Sequence, residues 1–266
     1  MTEKELTLTG CDEHRILDVA IEMGHILLQS GAEIFRVEDT MRRVCDHFQV
    51  DSCSFFVTAN AIMSSTNSYE RPLAKVRYVP VRGTQFDRIV AINQLSREIA
   101  TGNCESIDEI ERRVQEIKEM PLVPNWLCYF ASAMAAASFC ILFGGGFADT
   151  MTAFIAGYVL YVFLLHPGKH MSKIFANICS GAIITIFCLL SYRLGLGQNL
   201  NHMLSGATLP LVPGLAFTNG IRDIGGGDHL SGTVRLLDAF WTFLCIAIGV
   251  GIIFTLYQRI TGGPIL

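Results

Sequence analysis

The chain has 266 residues, of which 51% are hydrophobic and 17% charged, which is too apolar for an ordinary soluble domain. Residues 1–125 hold 14 Lys and Arg and 20 Asp and Glu, whereas residues 126–266 hold only 6 and 4. The net charge of -4 gives no support for nucleic-acid binding. The nine cysteines are scattered without a CxxC pair, so we expect reduced core residues and neither disulfides nor a metal site.

The acidic part, residues 1–122, is predicted to be a small α+β domain of two helices, three strands and two helices. Apolar residues recur at helical spacing from Ile16 to Leu27 and again from Ile34 to Phe48. Strands follow where apolar and polar residues alternate, and two further helices precede Pro121. Ser30 with Glu33 has the spacing of a capping box, which predicts that the second helix opens there.

Residues 123–266 are predicted to form a transmembrane domain with about five spans, because a spanning helix needs about 20 apolar residues. The fold class expected is therefore an α-helical membrane protein, with one helix broken by Pro and Gly, preceded by the small α+β domain. Lys and Arg follow alternate spans, which places the N-terminal domain in the cytoplasm and the C-terminus outside. The five uncharged runs are Trp126–Ala148, Thr150–Leu165, Ile174–Tyr192, Leu194–Ile221 and Ala239–Gln258.

The fourth run is interrupted halfway by two prolines and a glycine. Lipid cannot satisfy loose backbone groups, so a break at that depth must be buried in protein or line a cavity. Nine residues separate Pro213 from Arg222, about 13.5 Å of helix, which is near half of the roughly 30 Å hydrocarbon core. Free N–H groups after such a break suit a carboxylate. The residues that we expect to bind substrate are Pro210, Pro213, Gly214, Thr218, Asn219, Arg222 and Asp223.

Two simpler explanations stay open for this segment. A proline kink can serve packing alone. Arg222 and Asp223 can be interfacial anchors, with the arginine reaching toward headgroups.

Six further charged residues are predicted to act in gating or as motif residues. Glu33 is expected to cap a helix. Arg36 and Glu38 lie off the apolar stripe and could form a salt bridge between elements, contact a partner subunit or bind ligand. Arg235 and Asp238 are three residues apart and are expected to pair on one helix. The six are Glu33, Arg36, Glu38, Asp228, Arg235 and Asp238.

Two stretches together resemble the signatures of the threonine/serine exporter family. The N-terminal signature is similar to Ser30–Thr40, which is SGAEIFRVEDT. The arrangement of a soluble part followed by five spans also matches, so the resemblance covers nearly the whole chain. The membrane signature is similar to Leu211–Gly214 with Asn219, Arg222, Asp223, Asp228, Ser231, Gly232, Arg235, Asp238 and Ala239.

The resemblance implies the larger subunit of a split, two-component exporter in the cell inner membrane. Its partner would be a smaller multi-span membrane subunit of the same family. The resemblance leaves open whether this chain also forms a homo-oligomer. The implied cargo is threonine and serine, or alternatively a dicarboxylate such as succinate. It further implies that this chain alone can be inactive.

Two other function classes compete with transport: a membrane-anchored cytoplasmic enzyme and a regulator without transport activity. Residues 1–125 contain His14, His25 and His47, but no nucleophile, metal or phosphate motif accompanies them. We therefore predict a secondary exporter rather than an enzyme. No cofactor is expected, and because no ATP motif is present, coupling to an ion gradient is the expected energy source.

Overall fold

The computed structural model describes residues 10–50, 53–66, 73–80, 83–104 and 106–261. Its contacts divide the chain into two compact units. The first comprises Met1–Pro121 together with Leu215–Leu236, and the second comprises Leu122–Gly214 together with Leu237–Leu266. The first unit thus takes in a segment from far beyond residue 122, which the sequence did not suggest.

The first unit packs helices against a small antiparallel sheet. Strand order follows chain order, and Phe55 faces Ser64 across the first pair of strands while Ser64 faces Lys75 across the second. Fully buried Leu27, Met41 and Leu95 belong to one continuous core. The N-terminal elements are α1 (Gly10–Gln29), α2 (Ile34–His47), β1 (Cys53–Thr58), β2 (Ala61–Thr66), β3 (Leu73–Tyr78), α3 (Phe86–Ala100) and α4 (Ile107–Glu119).

The capping box predicted at Ser30 and Glu33 is wrong. Helix α2 begins at Ile34, so Glu33 itself occupies the N-cap position, and its side chain makes no capping hydrogen bond. Ser30 instead belongs to the end of α1, where its N–H bonds the Ile26 carbonyl at 3.0 Å. Gly31 has φ +82°, the left-handed conformation that ends many helices. It delays the start of α2 until Ile34.

The remaining helices follow in chain order, and two short 3-10 helices lie among them at Gly168–His170 and Leu209–Leu211. Helix α5 ends earlier than the first predicted span because Gly144, with φ +91°, terminates it. The helices are α5 (Asn125–Leu142), α6 (Phe147–Leu165), α7 (Lys173–Arg193), α8 (Leu200–Thr208), α9 (Gly214–Gly225) and α10 (His229–Thr261).

Within the described ranges, four helices are long and apolar enough to cross a membrane: α5, α6, α7 and α10. The fourth predicted run is not one helix, because α8, the 3-10 helix and α9 divide it. Pro210 and Pro213 have no N–H to donate and disfavour helix in the residue before them, which accounts for the break. The part of the chain that the structure describes therefore has the expected interruption but not a fifth continuous span.

Glycines set the packing of α7 against α10 in the second unit. A Cβ added to Gly181 would lie 2.6 Å from the Ile246 carbonyl oxygen, and one added to Gly249 would overlap the Ile178 carbonyl oxygen. The two backbones can approach this closely only where side chains are absent. Small residues serve the same purpose at membrane helix interfaces generally.

This packing predicts different outcomes for two glycines on α10. Gly249→Ala should destabilise the chain by about 1–3 kcal/mol, the usual cost of overpacking. Gly251→Ala is the control, because no described residue outside its own helix places an atom within 4 Å of an added Cβ there. Thermal unfolding in one detergent compares the two variants with the native chain, and equal melting temperatures for both would contradict this packing.

Candidate functional site

Four consecutive residues lead from the end of α1 into the first residue of α2. This 31–34 segment contacts α9 and the start of α10 within the first unit. The Asn219 side-chain amide donates to the Gly31 carbonyl at 3.0 Å, and the Arg235 guanidinium donates to the Ala32 carbonyl at 2.8 Å. Arg222 forms an ion pair with Glu33 at 2.5 Å. The two stretches of sequence that resemble one family therefore meet in one polar cluster.

Asp223 lies at the centre of this cluster. Its Oδ1 accepts a hydrogen bond from the Ile34 N–H at 3.1 Å, and its Oδ2 lies 3.3 Å from the Arg235 guanidinium. The Asp223 side chain is 1% exposed and that of Arg235 is 11% exposed. Because Glu33 offers no cap, a carboxylate from α9 meets the first N–H group of α2, where a negative charge is favourable.

Burial governs the protonation of two carboxyl groups in this unit. It raises the pKa of Asp223, while the Arg235 charge and the Ile34 N–H oppose that rise. Burial also raises the pKa of Glu38, although the Val57 N–H that donates to its Oε1 at 3.3 Å favours the ionised form. Both groups are thus protonated more readily than exposed carboxyls.

Glycines bring α9 and the start of α10 together so that Asp223 can reach Arg235. A Cβ added to Gly232 would lie 2.6 Å from the Gly220 carbonyl oxygen. At the end of α9, Gly227 has φ +96°, and the Asp228 N–H bonds the Asp223 carbonyl at 2.8 Å. This is the hydrogen bond of a glycine-terminated helix, and it reverses the chain between the two helices.

A cavity of about 570 Å³ opens beside the cluster in the same unit. Its charged lining consists of Glu33, Arg36, Arg97 and Arg222. Arg36 lies 3.6 Å from Glu33, so this carboxylate faces two guanidinium groups. Polar neutral groups and an apolar wall complete it: Thr84, Asn93, Gln94 and Asn219, with Phe86, Ile89, Val90 and Leu215.

The structure divides the residues predicted to bind substrate. Thr218, Asn219, Arg222 and Asp223 belong to the first unit, where the last three contact the 31–34 segment. The second unit contains Pro210, Pro213 and Gly214, which lie at the break between the end of α8 and the start of α9.

Two predicted roles of motif residues are wrong. Arg235 pairs with Asp223, not with Asp238, which instead forms an exposed ion pair with Lys173 at 2.5 Å. Glu33 pairs with arginine and does not cap α2.

Three other motif residues have local contacts. Arg36 faces Glu33, three residues earlier in the chain, and Glu38 accepts a hydrogen bond from β1. Asp228 opens α10, where its carbonyl accepts from the Gly232 N–H at 3.0 Å.

Sequence reasoning missed Arg97 and Gly220. Arg97 is exposed on α3 and lies outside both signature stretches, so only the folded chain brings it to the cavity. Gly220 lies in the interrupted run, where an isolated helical glycine can indicate close approach of two backbones. Among the residues that the structure describes, no group of three or more His, Cys, Asp or Glu could hold a metal ion.

Loss of one charge tests the Asp223–Arg235 pair. Asp223→Asn keeps an acceptor oxygen but leaves Arg235 without its opposite charge. We expect the free energy of unfolding to fall by about 3 kcal/mol, since removing one partner of a buried pair is costly. Pulse proteolysis of the full-length chain in urea measures the change.

Asp238→Asn is the matched control, because both partners of the Lys173–Asp238 pair are 62% exposed. Its effect should stay within about 1 kcal/mol. The same unfolding midpoint for both variants would show that the Asp223–Arg235 pair is not a structural centre.

Comparisons with known proteins give a consistent result. A family model described as "Putative threonine/serine exporter" matches residues 18–257. The chain is 24% identical over 261 residues to the "Probable threonine/serine exporter" of Mycobacterium tuberculosis, covering 94% of this chain and 48% of that protein. It is 25% identical over 251 residues to the "Probable succinate transporter subunit YjjP" of Klebsiella aerogenes, covering 92% and 95%.

The "Threonine/serine exporter" of Corynebacterium glutamicum is 23% identical over 246 residues, which cover 89% of this chain and 50% of that protein. The chain therefore spans about half the length of these two exporters and almost all of the Klebsiella protein. No solved structure gives a significant match. Because the family model matches most of the sequence, this chain belongs to the threonine/serine exporter family.

Proposed function

We propose that this chain is the larger subunit of a secondary exporter of small carboxylate metabolites, with amino acids of the threonine and serine type as cargo. The observation that carries the proposal is the polar cluster in which the 31–34 segment contacts Asn219, Arg222, Asp223 and Arg235. Both family signatures contribute to it, which supports a shared role in the activity of the family. A dicarboxylate is the second candidate cargo, favoured by the name of the Klebsiella relative.

The name of the Klebsiella relative supports a two-component transporter. The Klebsiella relative is named a transporter subunit and has nearly the length of this chain, whereas the two threonine/serine exporters are about twice as long. We propose that the partner of this chain is a second, smaller membrane subunit. We also propose an inner-membrane location with residues 1–122 in the cytoplasm, on the basis of the distribution of Lys and Arg.

The helix break is the proposed point of substrate contact in the membrane part. Pro210, Pro213 and Gly214 interrupt the chain where a lipid environment would leave backbone groups unsatisfied. Discontinuous helices form substrate sites in many secondary transporters, where helix N-termini face anionic groups. Among the described residues, no atom outside its own helix and chain neighbours lies within 4 Å of a Cβ added to Gly214.

The proposed roles of the cluster residues differ. Asn219 and Arg222 line the cavity and are proposed to contact substrate. Asp223 is proposed to be a positioning residue, because its carboxylate joins α2 to α9 and is almost completely buried. Ion-gradient coupling supplies the energy in this proposal.

Counterflow into proteoliposomes tests the proposal. Vesicles that contain this chain together with a co-purified small membrane partner should exchange labelled threonine or labelled succinate, and vesicles with this chain alone should not. Pro213→Leu should reduce exchange to the level of empty vesicles, because leucine lets the helix continue through the break.

Pro80→Leu is the matched control, since Pro80 is exposed outside the helices and strands of the first unit. It should leave exchange unchanged. Absence of counterflow for both substrates with the complete pair would contradict the transport proposal. Native exchange by Pro213→Leu, at equal expression, would contradict the role of the break.

A further inference from the structure

The residues that line the cavity of the first unit carry more positive than negative charge. Arg36 and Arg222 both face Glu33, at 3.6 and 2.5 Å, so one carboxylate serves two guanidinium groups. Within the described ranges, no carboxylate lies within 4.0 Å of the Arg97 guanidinium. Three positive charges and one negative charge give the lining residues a net charge of +2.

The rest of the lining suits a compact organic molecule. Amide and hydroxyl groups of Thr84, Asn93 and Asn219 can donate hydrogen bonds, and Phe86 and Leu215 contribute apolar surface. The volume of about 570 Å³ lies within the range usual for small-molecule sites. A ligand with charged ends and a short apolar middle would match these groups.

We infer that this cavity binds a small organic dianion, held by Arg97 of α3 and by Arg222 of α9. Guanidinium groups bind carboxylate and phosphate through paired hydrogen bonds. Of the two cargoes proposed above, the dicarboxylate therefore matches this cavity better than a zwitterionic amino acid, whose ammonium group would enter a region of excess positive charge. The ligand's second anionic group would compete with Glu33 for Arg222, so binding is coupled to the contact between the 31–34 segment and α9.

This inference rests in part on the proposed function, because the cavity shares Asn219 and Arg222 with the residues proposed for substrate binding. It adds a site on α3 that neither signature contains. It also names net charge as the property of the ligand that matters.

Isothermal titration of the full-length chain in detergent tests the inference. The probes are succinate as a dicarboxylate, inorganic phosphate as a second dianion source, and threonine as a zwitterion. We expect saturable binding of a dianion, with threonine bound at least about tenfold more weakly, since a charge-assisted hydrogen bond contributes at least that factor. Whichever of succinate and phosphate binds with the higher affinity identifies the anionic group that the cavity prefers.

Arg97→Gln should weaken dianion binding by at least about tenfold for the same reason. Arg42→Gln is the control, because Arg42 is an exposed arginine of α2 that does not line this cavity. It should leave the affinity unchanged.

Absence of saturable dianion binding, equal affinity for threonine, or equal effects of the two substitutions would each overturn the inference. The outcome separates from that of the counterflow experiment. Dianion binding without flux would contradict the proposed transport but support the binding site. Flux without dianion binding would contradict the binding site but support the proposed transport.

Discussion

A carboxylate with 1% exposure must have partners that compensate for lost water, and Asp223 finds them on two distant parts of the chain. One partner is the Arg235 guanidinium on the next helix, and the other is the Ile34 N–H at the start of α2. Arg235 in turn donates to the Ala32 carbonyl. This closed set of polar contacts fixes α9 and the start of α10 against the N-terminal helices.

The same set of contacts determines what the first unit presents to a ligand. Because Asp223 and Arg235 form a buried ion pair, they are committed to structure, while Arg222 one residue earlier remains 63% exposed at the cavity. Glu33 neutralises part of the charge there and Arg97 adds to it. A buried pair thus positions a more exposed group of charges, and only the exposed group is available for binding.

The sequence was sufficient for features that depend on local chemistry. Apolar runs located α6 and α7 to within a few residues, and Pro210 and Pro213 predicted the break between α8 and α9. The partner of Arg235 could not be predicted, because Asp238 has favourable helical spacing whereas Asp223 is reached only through the glycine-terminated turn at Gly227.

Contacts between residues far apart in the chain could not be predicted from the sequence either. The capping box at Ser30 and Glu33 had suitable residues, but Gly31 terminates α1 and shifts the start of α2 to Ile34. Ile34 then obtains its acceptor from 189 residues away. The sequence alone could not predict that Arg97 lines the cavity or that the lining has a net positive charge, because both depend on which helices pack together.

A double-mutant cycle on Asp223 and Arg235 tests the central claim most directly. Asp223→Asn, Arg235→Gln and the double variant are unfolded in urea as full-length chains in the same detergent. If the two side chains form one buried pair, the coupling free energy should be about 1–3 kcal/mol, the range found for contacting residues. Effects that simply add would contradict the pair and, with it, the role of this cluster in holding the 31–34 segment against α9.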